Sequence, residues 1–186
     1  MIGGLPKSLI VAGTEYGIRT DYRAILDILE AFGDPDLEAK EKIYVCLYIL
    51  YEDFELIPPE QYEEAYKAAI DFIDAGQKKD DKRPHPRTMD WEQDAPIIFP
   101  AINNIAHTEV RSISYLHWWT FLGYFMEIRE GIFAQVLGLR QKRAKGKKLE
   151  KCESEFWRSN RDICELKKKV SSEERAIKEE LNALLG

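Results

Sequence analysis

The side chains able to do metal, nucleophilic or acid–base chemistry are few in this 186-residue chain, and they are scattered. The three histidines, His85, His107 and His117, fall in a polar linker, a loop and an aromatic helix. None lies three or four residues from another His or a Cys, the spacing that sets two metal ligands on one helical face. Cys46, Cys152 and Cys164 form neither a Cys-x-x-Cys pair nor an even framework, and they read as reduced structural thiols, the last two on one helix. Asp90, Glu92 and Asp94 open like a calcium loop, but Ala95 stands where its glycine would be and Ala101 where its closing glutamate would be. Those acids read instead as charges at a helix start, where the macrodipole favours them. A Gly-rich phosphate loop, a Gly-x-Ser-x-Gly elbow and a His-Glu-x-x-His pair are all missing from the sequence. The expectation is a protein that is not an enzyme and that takes no cofactor and no metal.

The bulk composition bounds the rest. With 45% hydrophobic and 32% charged residues the chain reads as a globular protein large enough for a sizeable core. Its most apolar stretch, Tyr115 to Ile128, contains His117, Thr120 and Glu127 and falls short of the roughly 20 apolar residues of a membrane span. The opening Met1-Ile2-Gly3-Gly4-Leu5-Pro6 has no basic segment leading into an apolar one, so a cytoplasmic location is expected.

These residues must be positioned by helices. Leu9-Ile10-Val11 and Tyr16, Ile18 flank Gly13-Thr14, which predicts a small N-terminal hairpin. From Asp21 as N-cap, Tyr22, Ile25, Leu26, Leu29 and Phe32 recur at helical spacing until Gly33-Asp34-Pro35. A second helix carries Ile43, Leu47, Leu50 beside Tyr44, Tyr48, Tyr51, and a third starts at Pro58-Pro59, where proline suits the first turn. The run from Gly76 to Arg87 lacks apolar residues, so the chain is expected to divide into residues 1–75, a polar linker 76–89, and a lobe 90–186, unless it is one compact domain. Asp90 and Gln93 have capping-box spacing for a fourth helix, and Pro96 and Pro100 predict a kink or a delayed start.

Two stretches then stand out. From Ser112 to Ile128 the pattern predicts a helix apolar on nearly every face, which belongs in a core or under a partner. Its adjacent Trp118 and Trp119 project about 100° apart, so either both anchor the core or one faces a partner. Between Leu139 and Val170, twelve Lys or Arg against five acids leave +7 locally, within a chain of net charge −6. Arg140, Lys142, Arg143, Lys147, Lys148, Arg158 and Arg161 are the candidate basic surface. It reads as a solvated helix face or as a surface for an acidic protein; nucleic acid is disfavoured because Phe156 and Trp157 alone supply aromatic interleaving. Leu149, Cys152, Phe156, Ile163, Val170, Ile177, Leu181 and Leu184 predict one long C-terminal helix, although Ser171 and Glu174 also fit a capping box for a separate terminal helix. The fold class is therefore mainly α: a multi-helix bundle with an N-terminal β-hairpin and a long, basic C-terminal helix.

Asp90-Trp91-Glu92-Gln93-Asp94-Ala95, Tyr115-Leu116-His117-Trp118-Trp119-Thr120-Phe121, Gly138-Leu139-Arg140-Gln141-Lys142 and Glu155-Phe156 together resemble, in order and spacing, the "gene product fifteen" family of phages and prophages of Gram-positive bacteria. The likeness runs from about Ala69 to Leu166, and the Leu-His-Trp-Trp element is its specific part. The chain departs from the family pattern at Pro96, Pro100 and Ala106-His107-Thr108-Glu109. The resemblance implies a tail-assembly chaperone that keeps the tape-measure protein of a long tail free of aggregation while the tail tube polymerises around it. The implied partners are that protein and the other tail-assembly chaperone, with self-association open and with neither membrane nor nucleic acid expected. It implies the cytoplasm of an infected or lysogenic host and absence from the mature virion. The alternative is a permanent component of the tail or head–tail junction. Asp90, Trp91, Asp94, Tyr115, Leu116, His117, Trp118, Trp119 and Phe121 are the family-motif residues, to be assigned to a partner surface or to the core.

Overall fold

A computed structural model describes residues 3–77 and 86–185; His85 and most of the expected linker lie outside the described residues. Two units emerge. The N-terminal unit holds residues 6–73 together with the C-terminal residues from 168 onward, and the central unit holds residues 74–167. The last helix is thus grouped with the N-terminal unit, whereas the sequence reading placed it in the 90–186 lobe.

The N-terminal unit opens with the expected hairpin. Strands β1 (Ser8–Val11) and β2 (Thr14–Gly17) pair antiparallel with Val11 opposite Thr14. Ala12 and Gly13 turn the chain at φ 48° and 82°. Left-handed backbone at both central positions matches the right-handed twist of the flanking strands, which is why two residues suffice. Helix α1 (Tyr22–Gly33) begins where the Asp21 carboxylate accepts the Arg23 N–H, and α2 (Ala39–Leu50) where Glu38 and Glu41 exchange capping bonds. A 3-10 turn from Pro59 to Gln61 leads into α3 (Tyr62–Ile73). The three helices close over Ile25, Ile28, Leu47, Leu50, Tyr51, Ala65 and Ala69, all fully buried. In α1 the register is rotated slightly from the expected stripe: Ile28 is sealed, while Leu26, Leu29 and Phe32 are half-buried. Inside this core the Tyr51 hydroxyl donates to the Ala65 carbonyl at 2.9 Å, so its polar tip is satisfied.

The central unit contains α4 (Ala95–Ala106), α5 (Trp118–Met126), α6 (Ile132–Ala144), α7 (Lys151–Ser159) and the single turn α8 (Arg161–Cys164). Helix α4 packs on α5 and α6, and α8 packs on α6 and α7. The delayed start of α4 is observed: Asp90 accepts the Gln93 N–H at 2.7 Å, residues 91–94 form a turn, and Pro96 sits in the first helical turn. Pro100 remains inside the helix and removes one backbone bond.

Two expected helices are shorter than the sequence pattern predicts. The stretch 112–128 is not one helix; a 3-10 turn at Val110–Ser112 is followed by bends, and α5 starts only at Trp118. The long basic C-terminal helix is also corrected. It breaks into α7 and α8, then a non-helical stretch over residues 165–171, then α9 (Ser172–Leu185). Asn160 stops α7, its side-chain amide donating back to the Phe156 carbonyl at 3.0 Å. Cys152 and Cys164 consequently lie on different helices. Helix α9 is capped as the Ser171–Glu174 spacing suggested, Glu174 N–H donating to the Ser171 hydroxyl. Ser172 ties it to Asp36, donating through both N–H and hydroxyl to the same carboxylate oxygen.

Candidate functional site

Arg140 is the residue around which the central unit is organised. It lies on α6 and is only 6% exposed, with Asp94 at 1%. Its guanidinium grips the Asp94 carboxylate in a fork, Nη1 to Oδ2 at 2.7 Å and Nη2 to Oδ1 at 2.8 Å. The remaining donors reach three main-chain carbonyls: Nε to Cys164 at 2.9 Å, Nη1 to Thr88 at 3.1 Å and Nη2 to Ile163 at 2.7 Å. All five N–H groups are therefore used, which is the condition under which a buried charge pair is tolerable. Asp94 further accepts the Asp90 N–H, while Asp90 pairs with Arg87. Gln93 completes the clasp, donating to the Glu165 carbonyl at 2.7 Å and accepting the Lys167 N–H at 2.8 Å. Arg87 adds a bond to the Lys167 carbonyl.

This clasp stitches residues 87–94, α6 and residues 163–167 together. It also explains the broken C-terminal helix, because backbone groups between 163 and 167 bond to Arg140, Gln93 and Arg87 instead of continuing a helical ladder. Arg140 must accordingly be removed from the candidate basic surface: it is buried and saturated. Asp90 and Asp94 are structural acids of the same clasp.

The family-motif aromatics form the apolar half of the unit. Trp118 and Phe121 are buried and stacked, ring centres 5.8 Å apart at 24°. Trp91 lies 4.9 Å from Phe125 and 6.2 Å from Phe121, and Phe99 and Phe133 extend the cluster. His117 is the N-cap of α5; its Nδ1 accepts the Trp119 N–H at 3.0 Å. That cap is why the helix begins at Trp118 and why Tyr115 and Leu116 precede it. The adjacent indoles divide as their geometry demands, Trp118 sealed in the core and Trp119 half-buried, edge-on to His117. Tyr115 is 49% exposed and Leu116 half-buried.

The other basic candidates are at the surface. Lys142 pairs with Glu153, and their shared hydrogen bond raises the lysine pKa and lowers that of the glutamate. Arg143 lies over the Trp157 ring at 4.3 Å. Arg161 bonds Glu165 at 2.8 Å across one helical turn, and exposed Arg158 reaches the Ser154 carbonyl. Lys147 and Lys148 are exposed on the turn between α6 and α7. The two buried thiols carry no nucleophilic signature: burial pushes Cys46 up to about 12 and raises Cys164 as well, both away from the thiolate. Among the described residues no group of three or more His, Cys, Asp or Glu is placed to hold a metal ion. None of the helices searched is long and apolar enough to cross a membrane.

The sequence reading noted tyrosine stripes on the second helix but did not count them among the site residues. Tyr44 and Tyr48 are 51% and 56% exposed, with rings nearly parallel at 8° and centres 6.4 Å apart. Phe54 meets both edge-on, at 5.1 and 6.0 Å, and Tyr62 backs Phe54 at 5.3 Å. Leu56 beyond them is 69% exposed. The spacing of four residues that exposes this pair is visible in sequence; their exposure is not.

The family model described as Bacteriophage Gp15 protein matches residues 1–166 of the chain. The chain belongs to that family. No match was found among curated proteins or among solved structures. The Gp15 match spans the hairpin, α1 to α3 and the clasp up to residue 166, and α9 lies beyond it.

Proposed function

We propose that this Gp15-family protein is a tail-assembly chaperone, a binding protein and not an enzyme, which holds the phage tape-measure protein free of aggregation while the tail tube is built. The observation that carries the reading, beside family membership, is the exposed Tyr44–Tyr48 pair on α2, supported from behind by Phe54 and Tyr62. A tape measure must keep helical apolar stripes covered until the tube encloses them, and the cover must come off again. Stacked tyrosines suit that task. They give a large contact area at small entropic cost, and their hydroxyls keep the face wettable when it is empty. Modest contacts repeated along one long filament sum to firm retention.

Co-expression with the tape-measure protein tests this directly. The wild-type chain should raise the fraction of tape measure left in the supernatant, and Tyr44→Ser with Tyr48→Ser should abolish most of that gain while leaving the chaperone folded, since both rings are half out of the core. No gain from the wild-type chain would sink the proposal. The exposed lysines of the α6–α7 turn favour a second reading, a permanent part of the tail or head–tail junction stacked through unlike charges. Mass spectrometry of purified virions separates the two, because a permanent part is retained at a fixed ratio.

A further inference from the structure

The basic surface contains one built feature, a notch of about 360 Å³ lined by Arg87, Arg140, Arg143, Trp157, Glu165 and Leu166. Its guanidiniums are not equivalent. Arg140 spends every donor inside the clasp, and Arg87 is committed to Asp90 and the Lys167 carbonyl. Arg143 is different. Its guanidinium carbon lies 4.3 Å from the centre of the Trp157 ring with Glu165 as its charged neighbour, and no hydrogen bond from the guanidinium reaches a described residue. Beside the indole in the notch, the Glu165 carboxylate is held by Arg161, whose Nε donates to it at 2.8 Å.

We propose that this notch is a receptor for the carboxylate of an acidic peptide segment, with Arg143 as the fork that receives it and Trp157 as the platform that orients the fork. It rests on the binding-protein reading above and names a second contact for the same task. A guanidinium stacked on an aromatic face has already given up its rotational freedom, and its planar edge is left to accept a carboxylate through two parallel hydrogen bonds. Arg140 and Arg87, each neutralised by its own aspartate, form the wall of the notch without competing for the ligand. Exposed Lys145, Lys147, Lys148 and Lys151 on the adjoining turn and the start of α7 steer anions toward it. The occupant is a peptide carboxylate and not a nucleic acid strand. A planar fork matches the two oxygens of one carboxylate, and Trp157 is the single aromatic side chain in the notch lining, where a nucleic acid strand would call for successive stacking platforms.

The test is fluorescence anisotropy of the full chain with a labelled, end-capped peptide of six glutamates, competed by inorganic phosphate and by a single-stranded hexanucleotide. Arg143→Lys keeps the charge but loses the fork, and it should weaken peptide binding about tenfold, with Arg143→Gln at least as damaging. Lys147→Gln with Lys148→Gln, which removes two charges but not the fork, should cost less than about threefold and flatten the salt dependence. The proposal is overturned if the wild-type chain does not bind the peptide, if Arg143→Lys binds as the wild type does, or if the lysine pair matters as much as Arg143. It is equally overturned if phosphate or the oligonucleotide displaces the peptide at lower concentration than free hexaglutamate does. Should the wild-type chain protect the tape measure and Arg143→Gln protect it equally, the notch alone fails; peptide binding without any protection fails the chaperone reading alone.

Discussion

In the N-terminal unit, α1, α2 and α3 meet through Ile25, Ile28, Leu47, Leu50 and Ala69, side chains that ask only for volume and dryness. The central unit has an aromatic core of comparable quality around Trp118 and Phe121, but it also runs three separated chain segments through one guanidinium. The contrast concerns what failure looks like. An apolar core that loses a methyl group keeps its neighbours in place and is weakened by degrees. A buried ion pair that loses one partner leaves a stranded charge, and the carbonyls it held are set loose at the same time.

The comparison breaks first at Asp94. Asp94→Ala should cost about 3–5 kcal/mol in denaturant unfolding, because Arg140 is left buried and unpaired, whereas Leu47→Ala should cost about 2–4 kcal/mol through its cavity. Replacing both clasp partners, Arg140→Met with Asp94→Leu, should cost less than Asp94→Ala alone; a double variant worse than the single one would show that the hydrogen bonds to residues 88, 163 and 164 matter more than the charge. Next in size is the α5 cap. His117→Ala should lose about 1–2 kcal/mol, and His117→Asn, which retains a capping oxygen, should recover much of it. Equal stability of the two variants would mean that His117 acts by filling space.

The smallest effect is electrostatic and lies at Glu109. Three hydrogen bonds from Arg111, two from its side chain and one from its backbone N–H, and one from Asn103 hold this exposed carboxyl down at about 2, against an ordinary value of 4.5. A depressed folded value means that the contribution is complete above the ordinary value and is lost as the pH falls through about 2. The melting temperature of the wild type should therefore exceed that of Glu109→Gln at pH 6 and converge with it by pH 2. A constant offset across that range would remove the carboxylate from the explanation.

Much of the N-terminal unit was legible because its determinants are local. Gly13 marks the hairpin, Asp21 caps α1, Pro59 opens the turn into α3, and apolar residues at helical spacing do the rest. The delayed start of α4 was equally readable from Pro96. Arg140 was not, since one inward-facing arginine looks like its eleven basic neighbours until the carbonyls of Ile163 and Cys164 are seen beside it. The same long-range competition hid the break after Asn160: the apolar spacing through Phe156 and Ile163 is genuinely helical, and only partners outside the segment end it. For α5, a histidine is an unusual cap, so the apolar run through Tyr115 and Leu116 looked continuous. Arg143 and Trp157 lie fourteen positions apart and on different helices, a pairing that no single-helix periodicity reveals.

The clasp also fixes an order of events. Ile163 and Cys164 leave the ribosome after nearly everything else in the central unit, and Arg140 must wait for them before its last donors are met. Until then α6 carries a half-satisfied charge, so the nascent unit has strong reason to stay loose. Maturation of this region is accordingly tied to the synthesis of residues 163 and 164, and a fragment ending before residue 163 should be only partly ordered in the central unit.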